Sequence, residues 1–122
     1  MPNHIHLVWQ IQPGHKRENV QRDFLNYTAQ KIKFDLLEND KEWLQQFKID
    51  AKDKRYQIWE RNPMSTDLYN HKAFLQKLEY IHRNPVQEGW SLAGTVEEYK
   101  YSSARFYETG KDEWGFLTHY AD

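Results

Sequence analysis

The sequence predicts an α+β domain. Three observations carry that expectation: short runs in which apolar and polar residues alternate, longer stretches with apolar residues at three- and four-residue spacing, and a composition rich in rings but poor in aliphatics. At 122 residues the chain is long enough for one domain, read here as residues 1–122 with a C-terminal tail at 108–122. Leu, Ile, Val and Phe together account for 26 residues, just above the level at which disorder becomes the default. A net charge of −1 and an aromatic content of 16% oppose disorder, because little self-repulsion resists collapse around a small, aromatic core.

The first element expected is a strand from His4 to Gln12. Ile5, Leu7, Trp9 and Ile11 fall on one face, and His4, His6, Val8 and Gln10 on the other. Pro13-Gly14 ends it. A helix then runs from about Arg17 to Leu37, with Val20, Phe24, Tyr27, Thr28, Ile32 and Leu36 at helical spacing. Asn39-Asp40 breaks that helix, and residues 41–47 suit a further helical turn or two. A polar linker from Asp50 to Lys54 leads to a second alternating run, Tyr56-Gln57-Ile58-Trp59, read as a strand. After Asn62-Pro63, any of Ser65, Thr66 and Asp67 can cap the next helix. This helix, about Asn70 to Asn84, is the clearest of the set: Phe74, Leu75, Leu78 and Ile81 make its apolar stripe, and Pro85 marks its end. A loop around Trp90, bracketed by Gly89 and Gly94, precedes a short helix within Val96–Tyr107.

Composition narrows the chemistry. There is no cysteine, which removes disulfide scaffolds, thiolate metal sites and thiol nucleophiles together. No apolar run approaches the roughly 20 residues of a membrane span, and the first residues lack the pattern of a signal peptide. A soluble, cytoplasmic protein with no membrane partner is expected. Charge is lopsided: residues 1–61 carry 11 Lys/Arg against 9 Asp/Glu, and residues 62–122 carry 6 against 9. The local basic clusters read either as solvated faces or as contacts to phosphate.

Two groups of residues can carry chemistry. In His4-Ile5-His6 a strand would place both imidazoles on one side, a spacing that suits two ligands of one divalent ion or, equally, two polar residues on a wet face. Tyr80 and Asn84, four residues apart, share one face of the clearest helix. Their plainer reading is a tyrosine at the edge of the core and an ordinary asparagine before proline.

Taken together, the run MPNHIHLVW, then KLEYIHRNPVQEG, then YKYSSARFY resembles the REP-associated tyrosine transposases, within the HUH superfamily of single-strand-DNA transposases. The resemblance runs from the first residue to about Tyr107. It implies that His4, Ile5 and His6 are the H-U-H motif, that Tyr80 is the nucleophile and that Asn84 is the third metal ligand, where relatives usually have Gln. It further implies a metal-dependent transposase and single-strand endonuclease. Such an enzyme uses Mg²⁺ or Mn²⁺, cuts and rejoins single-stranded or hairpin DNA at palindromes, and passes through a 5′-phosphotyrosine. A phenol attacks only after giving up its proton, so positive charge from the metal, Arg83 or Lys77 is expected nearby. His82, roughly 200° round the helix from Tyr80, is expected away from the metal.

For DNA contacts, Lys16, Arg17, Lys52, Lys54 and Arg55 suit phosphates, and Arg61 and Arg83 suit phosphate or base. Trp59, Trp90 and Tyr101 suit base stacking or the core. The resemblance also implies a ferredoxin-like sandwich, an antiparallel sheet with helices on one face and the H-U-H strand at its centre. In relatives a strand, a helix and another strand come before that strand. The chain is therefore expected to be truncated at its N-terminus, and the exposed strand edge to favour a homodimer or a strand-swapped oligomer. Two other readings stay open: a remnant that binds structured DNA without cutting it, and a metal-dependent hydrolase with no covalent intermediate.

Overall fold

The computed structural model describes residues 1–50, 52 and 55–122. Its regular elements are helical: α1 (Arg17–Asn39), α2 (Lys41–Leu44), α3 (His71–Arg83) and α4 (Ala104–Thr109), with 3-10 turns at Gln45–Phe47, Asn84–Val86 and Val96–Glu98. Among the described residues there is no strand and no sheet, so the expected ferredoxin-like α+β sandwich is overturned. The physical reason is pairing. Alternation prepares a segment for a ladder, but a strand exists only when a neighbour takes up its N–H and C=O groups.

Residues 56–59 spend their pairing locally. Tyr56 bridges antiparallel to Lys48, Gln57 N–H donates to Phe47 O at 2.8 Å, and Ile49 N–H donates to Arg55 O at 2.9 Å. The run from His4 to Gln12 has no ladder partner among the described residues, and Ile5 and Leu7 remain 48% and 45% exposed.

The chain forms two compact units, residues 9–65 and residues 1–8 with 66–122. The first is built on α1. Val20, Phe24, Thr28, Ile32 and Leu36 recur every fourth residue and are all half-buried, as the spacing predicts. Tyr27, assigned to the same stripe, is instead largely exposed. Thr28 serves two partners: its hydroxyl donates to Phe24 O at 2.8 Å and accepts from Trp59 Nε1 at 2.9 Å. Trp59 is thereby tied to the helix that carries Thr28. Trp9 meets Phe24 edge-on at 5.7 Å. Asp40 ends α1 and caps α2, its carboxylate accepting from Trp43 N–H at 3.0 Å. Leu44, which follows within α2, is the most deeply buried apolar side chain.

The second unit is built on α3. Its cap is Asn70, whose side chain accepts from Ala73 N–H at 2.8 Å, and not Ser65, Thr66 or Asp67. Asn70 lies three residues ahead of Ala73, the reach at which a capping side chain meets an unpaired N–H of the first turn. The helix expected within Val96–Tyr107 divides into a 3-10 turn and α4, which closes at Gly110 with φ +75°. That left-handed geometry favours glycine.

The tail after α4 is organised by one carboxylate. Asp112 accepts from Trp114 N–H at 2.8 Å and from Leu117 N–H at 2.6 Å. Partial desolvation works to raise its pKa, but the backbone N–H groups of Leu117, Trp114, Gly115 and Phe116 hold it below the ordinary 3.8. A depressed carboxyl stabilises the fold fully above its unfolded value and ceases to do so as pH falls through the folded value. Asp112→Asn, which mimics the protonated acid, is therefore expected to melt below the wild-type chain at neutral pH. The gap should close as pH drops below 3.8. Thermal melts followed by near-ultraviolet circular dichroism across that range check this.

Candidate functional site

All four residues singled out for catalysis and metal binding belong to the second unit, and three of them are brought together directly. Tyr80 and Asn84 are one turn apart because α3 continues through Asn84, whose backbone N–H donates to Tyr80 O. Pro85 then stops the α-helix and the chain tightens into the 3-10 turn. Asn84 is only 6% exposed, a buried polar side chain, and such a group needs a partner. Its partner is His6: Asn84 Nδ2 donates to His6 Nε2 at 3.3 Å.

The same imidazole meets the Tyr80 ring edge-on at a centroid separation of 5.8 Å. His6 is thus in contact with both candidate residues, Tyr80 of α3 and Asn84 at its C-cap. His4 stands at 4.9 Å from His6, ring edge to ring face, and 5.7 Å from the Trp90 ring. An extended backbone supplies the shared side that brings the two imidazoles together, with no sheet required. Tyr80 itself is about half exposed, within reach of a substrate from solvent.

The hydrogen bonds fix which nitrogens are free. An amide NH₂ only donates, so His6 Nε2 accepts with its lone pair and the ring proton sits on Nδ1. Burial pushes the His6 pKa below the usual value, with further lowering from nearby His4 and the chain N-terminus. The neutral ring this favours is the form that ligates a metal. Asn3 Oδ1 lies 2.7 Å from His4 Nδ1. A carboxamide oxygen only accepts, so His4 carries its proton on Nδ1 and leaves Nε2 for a ligand. Asn3 therefore orients His4 as second partners orient metal-bound imidazoles. It is the residue the sequence reading missed, although it directly precedes the H-U-H run.

Among the described residues no cluster of three or more His, Cys, Asp or Glu side chains could hold a metal ion. The donor set is instead two imidazoles and one carboxamide. A half-turn of the Asn84 amide exchanges Nδ2 for Oδ1 and makes it N₂O, which suits Mn²⁺ and is less usual for Mg²⁺. The residues present fit such an ion.

The neighbouring side chains have other partners. His82 Nε2 lies 2.9 Å from Ser103 Oγ, its ring packs 5.6 Å from Tyr107, and burial lowers its pKa. Arg83 pairs with Glu79 at 3.5 Å along α3, with both side chains mostly in solvent, so its charge is weakly held. Of the other residues expected on DNA, Lys16, Arg17, Lys52, Arg55 and Arg61 lie in the first unit, and Lys54 lies outside the described residues. Lys16 is exposed at the N-cap of α1, Arg17 pairs with Glu18 at 3.7 Å, and Lys52, Arg55 and Arg61 are exposed. Among the expected stacking residues, Trp59 is half-buried with its indole N–H engaged, whereas Trp90 and Tyr101 keep 36% and 68% exposure. No helix among the described residues is long and apolar enough to cross a membrane.

Compared with known proteins, the chain matches no family model, and no curated protein or solved structure shows significant similarity to it.

Proposed function

We propose that this chain is a metal-dependent transposase and single-strand DNA endonuclease of the REP-associated tyrosine type, acting in the cytoplasm on hairpin DNA. The observation that carries the reading is the meeting of His6 with both Tyr80 and Asn84, across 74 and 78 residues of sequence. Helical geometry sets Tyr80 and Asn84 on one face, and what the fold adds is an imidazole from the distant His4-Ile5-His6 run set against that face. The motif order that resembles these transposases supports the same assignment.

In this reading His4, His6 and Asn84 would hold a divalent ion, which would supply Lewis-acid polarisation of the scissile phosphate. Tyr80 is the nucleophile. Its half-exposed phenol gives its proton to solvent, the Tyr80 oxygen forms a bond to phosphorus, and the bond from phosphorus to the 3′ oxygen breaks. The leaving oxygen takes up a proton and becomes a free 3′-OH, while the 5′ phosphate stays on Tyr80. The covalent link keeps the free energy of the phosphodiester, so rejoining needs no nucleotide cofactor. Asn3 holds His4 with its proton on Nδ1, which leaves Nε2 for the ion.

The test is a labelled hairpin oligonucleotide with a single-stranded flank, incubated with the protein and Mn²⁺ and resolved on a denaturing gel. A radiolabelled protein band that disappears with chelator is the expected result. Binding without such a band favours a non-cutting DNA-binding protein, and cleavage without it favours a hydrolase with no covalent step.

A further inference from the structure

Away from His4, His6, Tyr80 and Asn84, the second unit carries a cleft of about 230 Å³ between the 3-10 turn at Val96–Glu98, α4 and the tail. Tyr99, Phe106 and Trp114 line its walls among charged side chains. Trp114 lies stacked against Tyr101 with centroids 6.0 Å apart and planes 30° from parallel. Tyr99 meets Tyr101 edge-on at 6.1 Å. Tyr101 and Trp114 are 68% and 42% exposed. Two large, stacked rings thus stand side by side in solvent.

They are also held rigidly. The Asp112 turn fixes the Trp114 backbone, and Ser103, two residues after Tyr101, contacts His82 of α3. His82 is two residues from Tyr80. One hydrogen bond of 2.9 Å thus ties the segment bearing Tyr101 to the helix bearing the nucleophile.

The charges at the rim divide into two sets. Glu113 is paired with Arg105 at 3.4 Å, and Glu98 accepts from Gly94 N–H at 3.2 Å. Both acids are turned to partners within the chain, which leaves Glu97 as the remaining acid of the lining. Lys100 and Lys111 line the cleft and have no ion pair among the described residues, and Lys100 Nζ sits 5.8 Å from the Tyr101 ring centroid. The cleft is smaller than the roughly 300–1,000 Å³ of sites for drug-sized ligands and has room for a single planar ring system.

We propose that Tyr101 and Trp114 form a platform for one unpaired nucleobase of a single DNA strand, with Lys100 and Lys111 taking the adjoining phosphates. The inference rests on the proposed function and names where the substrate's unpaired flank lies. Stacking on exposed rings tolerates any base, because every base offers a π face.

The experiment uses the full chain with two hairpin oligonucleotides, one carrying a single-stranded flank and one blunt. Trp114→Ala and Tyr101→Ala are each expected to weaken binding of the flanked hairpin by about 5- to 150-fold, the usual range for a lost base stack. Binding of the blunt hairpin should stay unchanged, and Trp114→Phe should restore most of the loss. 5-Iodouracil placed through the flank should crosslink to Tyr101 or Trp114 at one position, read by mass spectrometry. Wild-type-like binding of the flanked hairpin by both alanine variants overturns the proposal, as does crosslinking confined to other residues. An equal loss on both hairpins also overturns it, since that marks general damage to the fold. If these outcomes occur while the Tyr80 adduct still forms, only the platform falls. If no adduct forms yet the flank-specific losses appear, the platform stands and the cutting activity falls.

Discussion

Tyr80→Phe is expected to abolish the covalent protein–DNA adduct while leaving hairpin binding intact. In the proposed reaction the phenol oxygen bonds to phosphorus, and no neighbouring thiol or second tyrosine of α3 stands in for it. Loss of a nucleophile from a site that works as a unit costs about 10⁴-fold or more in rate. The ring itself packs 5.8 Å from His6, and Phe keeps that packing. The hydroxyl it removes belongs to a side chain 51% exposed, so stability should change little. Adduct yield on the denaturing gel and hairpin affinity by filter binding separate the two effects.

Asn84→Ala is expected to damage both the fold and the proposed metal site. The side chain is 6% exposed and bonded to His6, so its removal leaves a cavity and frees the imidazole nitrogen of its partner. Loss of a buried hydrogen bond of this kind costs about 1–3 kcal/mol, which lowers Tm by about 4–8 °C per kcal/mol in a domain of roughly this size. Disturbing even the outer partners of a metal site lowers affinity by about 10–100-fold, and removal of a ligand should cost at least as much. Asn84→Asp distinguishes the two roles. It keeps the shape and an oxygen donor, so Mn²⁺ binding should survive in it and fail in the alanine variant. Titration of Mn²⁺ by electron paramagnetic resonance, alongside thermal melts, reads both quantities.

The parts of this molecule that could be read from its sequence are those fixed by neighbours in the chain. The four-residue recurrence from Val20 to Leu36 located α1, and the stripe from Phe74 to Ile81 with Pro85 behind it located α3. The shared face of Tyr80 and Asn84 followed from helical geometry alone. Alternation at His4–Gln12 misled, because period two describes a segment ready for a ladder and says nothing of whether a partner exists. Tyr56 to Trp59 misled for a related reason: its hydrogen bonds went to residues 47–49, a few positions upstream. The contact of His6 with Asn84 spans 78 residues, and no local pattern encodes it. Only the order of motifs suggested that they meet. The role of Asn3 was hidden because any asparagine beside a histidine looks like loop, until the 2.7 Å contact shows which ring nitrogen it engages. The division of the basic residues was equally illegible, since sequence clusters carry no information on which compact unit they join.

The central claim is that Tyr80, beside His4, His6 and Asn84, takes a DNA strand covalently. The most direct measurement is mass spectrometry of the protein after incubation with a flanked hairpin oligonucleotide and Mn²⁺, followed by nuclease and protease digestion. The account expects a 5′-nucleotide linked through phosphate to Tyr80 and a matching free 3′-OH on the released strand. Attachment at another residue, or strand cleavage with no attached nucleotide at all, would contradict it.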